Sequence, residues 1–259
     1  DQDGDLDLVS VLESMKTPFG TDYAAQAVWY EAIEPGQFAP EPHFIGEGMG
    51  SLVDTHDVDQ DGDLDLVSGE YFAGPGASYT WMEQVSPPSG ETPAGVWKRH
   101  IIDDSSGPSI QFTLIDDLFG DGVMRGVGSN HTNTVSVADD KPSEIAIYTP
   151  TTDPKAPWSK RVISEGIVSR PGTGTAAPGI FGYGDADNDG DLDLIVSGDG
   201  DPRIFLFEQT SPGEFTQHTL EERLGQAGGM LIKDLNGDGL NELLVTGYED
   251  NVLFVYSQL

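Results

Sequence analysis

The sequence predicts an all-β fold assembled from repeated four-stranded antiparallel sheets. Three observations predict it: an acidic phrase that recurs, an apolar strand-like run after each recurrence, and 33 glycines with 17 prolines that punctuate the runs as turns. The phrases read "DQDGDLDLVS" from Asp1, "DVDQDGDLDLVSG" from Asp57, "DADNDGDLDLIVSG" from Asp185 and "DLNGDGLNELLVTG" from Asp234. A degraded copy, "DLFGDGVMRGVGS", starts at Asp117. Starts at 57, 117, 185 and 234 lie 60, 68 and 49 residues apart, and the first copy would begin two residues before Asp1.

Each phrase is followed by one strand-like run: "AVWYEAI", "YTWMEQV", "EIAIYTP", "RIFLFEQ" and "NVLFVYS". In four copies a further run follows, "PHFIG", "WKRHIID", "WSKRVIS" and "FTQHTLE". Short segments such as "GSLVDTH", "SIQFTLI", "GIFGYG" and "GGMLIK" then lead into the next acidic phrase. Alternation with β-branched and aromatic residues favours strands throughout. "TDYAAQAVWYEAI" could pass for a helix by itself, but its equivalents in the other copies could not.

Each repeat is therefore four short strands, with the acidic loop joining the first to the second. One such sheet per repeat is the signature of a β-propeller blade. The reading is one propeller domain over 1–259, with blades at 1–46, 47–104, 108–165, 178–222 and 227–259. The first blade lacks its first strand and the fifth its last. A ring does not close neatly on that count, so a slice of a larger propeller is expected.

The formal charge is −33, from 45 acids and 12 bases. Such a chain lacks the basic footprint that phosphate recognition needs, so nucleic acid is not an expected partner. No run of 18 apolar residues exists, so membrane insertion by a helix is not expected either. With no cysteine, neither disulfides nor thiolate metal sites are available.

Crowding like charges is costly, because two carboxylates ~4 Å apart repel by about 4 kcal/mol at an effective dielectric of 20. A bound cation removes that cost. Read as D-x-D-x-D-G-x-x-D, the second copy offers Asp57, Asp59, Asp61 and Asp65, with the main-chain carbonyl of Asp63. The fourth offers Asp185, Asp187, Asp189 and Asp193, with the carbonyl of Asp191. The fifth offers Asp234, Asn236, Asp238 and Glu242, with the carbonyl of Leu240; the truncated first keeps Asp1, Asp3, Asp5 and Asp7. All-oxygen, anionic, flexible ligation suits Ca²⁺ better than Mg²⁺ or a transition metal. An EF-hand is excluded, since Ser68, Val196 and Val245 stand where its bidentate glutamate belongs and strand sequence follows. In the third copy Phe119 and Arg125 replace two carboxylates. Its guanidinium can neutralise Asp117 and Asp121, and this loop is expected to take no Ca²⁺.

At these phrases the chain resembles the FG-GAP/VCBS repeat family, the calcium-loop propellers that include the integrin α-subunit head. "DVDQDGDLDLVSG" and "DADNDGDLDLIVSG" match its loop closely; Phe181-Gly182 and "AGPGA" match its name elements in part. The resemblance implies a calcium-bound propeller in an extracellular or cell-surface setting.

His43, His100 and His218 share one repeat position, as do Trp29 and Trp81, and as do Trp97 and Trp158, so all are read as structural. What does not repeat is the connection between second and third strands. Variable loops on a rigid scaffold are where binding usually lives. From them come the candidate ligand residues Glu70, Tyr71, His131, Arg203 and Tyr248, while "NHT" makes Asn130 a candidate glycosylation site.

The functional expectation is a secreted or surface-displayed, non-catalytic scaffold that presents loops to glycan or extracellular protein. One alternative is a polysaccharide lyase or hydrolase, though no nucleophile elbow, HExxH or phosphate loop supports it. The other is a structural subunit that self-associates by strand pairing at its incomplete end blades.

Overall fold

The computed structural model describes residues 3–12, 15–16, 22–23, 25–71, 78–132, 143–171, 175–221 and 223–257. Among them every regular element is a strand. Five successive sheets hold three, four, four, four and three strands.

The first sheet pairs Leu8–Leu12, Gln26–Tyr30 and His43–Glu47 in antiparallel order. The second runs through Val53–His56, Asp65–Gly69, Tyr79–Ser86 and Val96–Asp103, each antiparallel to the one before. The third has the order Ser109–Ile115, Arg125–Asn130, Glu144–Thr149, Ser159–Glu165. The fourth repeats the pattern with Phe181–Gly184, Asp193–Ser197, Ile204–Ser211 and Glu214–Glu221, and the fifth with Ala227–Lys233, Glu242–Gly247 and Val252–Tyr256. "AVWYEAI" is a strand, as its equivalents require. Two short ribbons, Met15–Lys16 with Asp22–Tyr23 and Ala32–Glu34 with Gln37–Phe38, interrupt the first repeat and have no counterpart in the repeat pattern.

The chain divides into two compact units: Asp1–Leu114 with Pro150–Ser159, and Ile115–Thr149 with Lys160–Leu259. In the first, Ala27, Trp29, Ile45, Met49, Leu66 and Met82 form one core. In the second, both faces of the fourth sheet are buried. Leu194, Val196, Phe205 and Phe207 join Ile115, Val127, Ile145 and Ile147 in one core, whereas Ile195 and Ile204 join Ile232, Leu243 and Val245 in another. This is the period-two alternation of a strand turned inward on both sides, so "LDLIVS" reads as a continuous apolar run rather than alternating with polar residues. Each such side chain fully buried contributes about 1.5–3 kcal/mol.

The repeating histidines and tryptophans take cross-strand places. Trp29 stacks on His43 and Trp81 on His100, each with ring centroids 4.4 Å apart, and Leu206 pairs with His218 at the same register. His100 and His218 each hydrogen-bond a glutamate, Glu83 at 2.6 Å and Glu208 at 2.7 Å.

Candidate metal centres

The first acid of each phrase shapes its loop. Asp57 accepts the amide hydrogens of Asp61 at 3.0 Å and Gly62 at 3.1 Å, and Asp185 accepts those of Asp189 at 3.1 Å and Gly190 at 3.0 Å. Asp234 does the same for Gly237 at 2.6 Å and Gly239 at 2.9 Å. To close so tightly the backbone enters the left-handed region, with φ of 99° at both Gly62 and Gly190, which a glycine adopts without Cβ strain. Further Asx turns follow: Asp61 accepts from Asp63, Asp189 from Asp191, Asp238 from Leu240 and, in the first copy, Asp3 from Asp5.

The last acid has a second task that its sequence position does not announce. Asp65 is 1% exposed; its Oδ2 accepts the Val58 amide at 2.9 Å and its Oδ1 the Gln84 amide at 2.8 Å. Asp193 repeats this with Ala186 and Gln209, both at 2.7 Å. Asp7 accepts from Ala32 at 2.9 Å, and Glu242 from Leu235 at 2.8 Å. This carboxylate therefore pins its loop at Asp65, Asp193 and Glu242, and at Asp7, Asp65 and Asp193 it ties the adjacent strand segment to the second strand. Burial pushes Asp65 up to about 7 and Asp193 up to about 6, against the lowering effect of their amide donors.

In two loops the carboxylates converge. Oxygens of Asp57, Asp59 and Asp61 lie within 4.8 Å of one another, and so do oxygens of Asp185, Asp187 and Asp193. The Oδ1 atom of Asp59, a member of the first trio, is buried without a hydrogen-bond partner, a costly arrangement that a cation would relieve; Asp63 Oδ1 is also buried and unpartnered but lies outside the trio. Donor chemistry in both loops, and the unsatisfied Asp59 oxygen in the first of them, fit a hard divalent cation. Asp65 stays outside the first trio and Asp189 outside the second. In the fifth loop the Asn236 amide donates to Asp238 Oδ2 and Glu242 Oε1, both at 3.0 Å, so a neutral side chain links the two acids. Asn241 ties this loop to the fourth through Asn188 Oδ1 at 3.2 Å and the Asp185 carbonyl at 2.8 Å. In the first copy Asp1 lies outside the described residues, leaving Asp3, Asp5 and Asp7. Within the first unit, Lys155 Nζ stands 3.1 Å from Asp59 Oδ2 and 2.6 Å from Glu83 Oε1. Those hydrogen bonds raise its ammonium well above the ordinary lysine value.

The degraded third loop keeps the turn and replaces the ligand set. Asp117 still accepts the Gly122 amide at 2.5 Å. Arg125 grips Asp121 with both terminal nitrogens, at 2.7 and 2.6 Å, and its guanidinium lies 4.1 Å over the Phe119 ring. Of the two acids read as its partners, Arg125 hydrogen-bonds Asp121, whereas Asp117 serves the backbone. The Arg125 hydrogen bonds hold the Asp121 carboxyl down at about 2. A depressed acid contributes stability above its unfolded value of about 3.9 and loses it as pH falls through the folded value. In the chelated protein, the melting-temperature gap between wild type and Asp121→Asn should therefore close as pH falls from about 4 to 2. A gap constant across that window would show that the pair adds nothing.

The candidate ligand residues follow the second strand or, for Arg203, immediately precede the third. Glu70 is buried and accepts from Arg99 at 3.3 Å, beside half-buried Tyr71. His131 is buried, its Nδ1 2.6 Å from the Pro178 carbonyl and its Nε2 3.6 Å from Asp199. Arg203 forks onto Asp201 and lies 4.8 Å over Phe205. Tyr248 is 78% exposed. Asn130, read as a glycan acceptor, is wholly buried and accepts the Glu144 amide at 2.7 Å, so no open surface surrounds its side chain.

Residues 185–245, the fourth loop through the second strand of the fifth sheet, match the model of the FG-GAP-like repeat, which agrees with the resemblance read from the acidic phrases. No curated protein matches the chain. Among solved structures it is similar to one described as the structural basis of specific recognition of non-reducing terminal N-acetylglucosamine by an Agrocybe aegerita lectin. Identity is 14% and the TM-score 0.48, over 97% of this chain and 66% of that one. This chain thus spans slightly under two thirds of that protein's length.

Proposed function

We propose that this chain, with its FG-GAP-like repeat over 185–245, is an extracellular, calcium-stabilised β-propeller scaffold that binds glycan or protein without catalysis. One observation carries the metal assignment: the same backbone cage recurs at 57–65 and 185–193, each time with three carboxylates converging. Asp57, Asp59 and Asp61, and Asp185, Asp187 and Asp193, would supply the acidic donors, and Asp234, Asp238 and Glu242 a further set. When bound, Ca²⁺ supplies positive charge that cancels carboxylate repulsion, and the millimolar level outside cells would keep such loops filled. Successive sheets with both faces of the fourth buried support blade-like stacking within the second unit.

The connections between second and third strands leave the opposite end of each sheet from the acidic loops. They are the proposed presenting surface, with Tyr248 its most exposed candidate. Calorimetric titration of the chelator-stripped protein should show two or more calcium-binding events, and Asp59→Asn combined with Asp187→Asn should abolish the acidic-trio component. Absence of any binding heat or thermal shift would sink the metal assignment. Glycan-array binding without release of reducing or unsaturated sugar would support a scaffold, whereas turnover would replace it with an enzyme.

A further inference from the structure

The second and fourth acidic loops have nearly the same phrase and the same cage, yet different surroundings. Asp59 and Asp187 occupy equivalent positions. Two residues past Trp81 and Leu206 stand Glu83 and Glu208, each bonded to the repeating histidine. Of these two loops, only the second has a cation among the described residues between its aspartate and that glutamate: Lys155 Nζ, 3.1 Å from Asp59 and 2.6 Å from Glu83. Among the described residues no basic side chain pairs with Asp187. Burial raises its carboxyl, and so do Asp189, Glu208 and Asp185.

Lys155 is positioned by its own turn. Asp153 Oδ1 accepts the Lys155 amide at 3.0 Å, and the Asp153 carbonyl accepts that of Ala156 at 3.0 Å. Trp158, 7% exposed, donates to the Pro154 carbonyl at 2.8 Å and anchors the segment. The ammonium satisfies one oxygen of Asp59, while the other, Oδ1, stays buried and unpartnered. The lysine therefore neutralises part of the loop without filling it.

We propose that Lys155 is a built-in counter-cation of the 57–65 loop: it sets that loop's affinity for a divalent cation below that of the 185–193 loop, and cation entry displaces it from Asp59. The inference rests on the calcium reading above. A dication arriving at 57–65 meets a fixed positive charge at ligand distance, whereas one arriving at 185–193 meets only carboxylates. An ammonium on a flexible four-carbon stem can release Asp59 and keep Glu83, so displacement needs no backbone change. The two loops should then fill in order, 185–193 first.

The test is titration of calcium itself into the full chelator-stripped chain, wild type and Lys155→Met, which removes the charge and keeps the apolar stem. The weaker class of sites should tighten about tenfold, a change of about 1.4 kcal/mol, while the tighter class holds its affinity and shows the variant to be folded. Asp187→Asn should remove the tighter class and so assign it. All four tryptophans lie in the first unit, so their emission follows that unit through a melt. In EDTA Lys155→Met should melt below wild type; in saturating calcium the gap should vanish or invert, and Lys155→Arg should behave as wild type. If calcium binds and Lys155→Met moves neither class, or lowers the melt equally in both conditions, Lys155 is an ordinary ion pair and the proposal falls. If a misfolded Lys155→Met loses both classes, Lys155→Gln takes its place under the same criteria. Absence of binding heat in either protein would overturn the calcium reading itself, a separate outcome.

Discussion

Millimolar EDTA should lower the melting temperature of the calcium-loaded chain by roughly 10–20 °C. At free Ca²⁺ a hundredfold above Kd, each occupied site adds about 2.7 kcal/mol by mass action. The second unit carries two loops with the full ligand pattern, 185–193 and 234–242, and with both occupied would lose about 5 kcal/mol on chelation. That is comparable with the whole stability of an ordinary domain, about 5–15 kcal/mol. Circular dichroism is the suitable monitor, because the second unit contains no tryptophan. Re-addition of calcium should restore the transition, and equimolar magnesium should restore much less, since it gives up water reluctantly. A transition that EDTA leaves in place would remove the metal from the account.

In metal-free buffer, Asp193→Ala should cost about 3 kcal/mol, while Asp187→Asn should cost under about 0.5 kcal/mol. Asp193 is 1% exposed and accepts two buried amides at 2.7 Å; without it both lose their acceptor. Asp193→Asn keeps one acceptor oxygen and should cost about half as much. Asp187 is exposed, and its loss matters only once calcium is added. Urea denaturation in EDTA separates the two roles. Equal losses at both positions would show that the last acid is no special clamp.

Much of the fold was legible because the repeat supplied five readings of one pattern. "LDLVS" and "LDLIVS" were identifiable as strands from the abrupt switch after the acidic turn, and they became Asp65–Gly69 and Asp193–Ser197. The helix-like "TDYAAQAVWYEAI" was resolved by its equivalents. The clamp was not legible: a carboxylate that binds amides and one that faces a cation have the same residue type at the same spacing. Nor was Lys155, since no local pattern links position 155 to position 59; the contact exists only through the tertiary path of the chain. The short ribbons escaped because they belong to one copy and repeat nowhere.

The Asx turns bear on how such a loop can change. Amide hydrogens reaching the first acid draw the turn itself, so the turn can outlast replacement at the other ligand positions, although replacing the last acid also removes its clamp. The turn persists in the fifth copy with Asn236 and Glu242 in place of aspartates, and in the third copy, where Phe119 and Arg125 stand and a tethered guanidinium is the resident charge. One polypeptide thus holds the same turn with three different ligand sets, and grafting the 117–125 chemistry onto a sister loop is the direct way to ask whether chelator resistance can be engineered one repeat at a time.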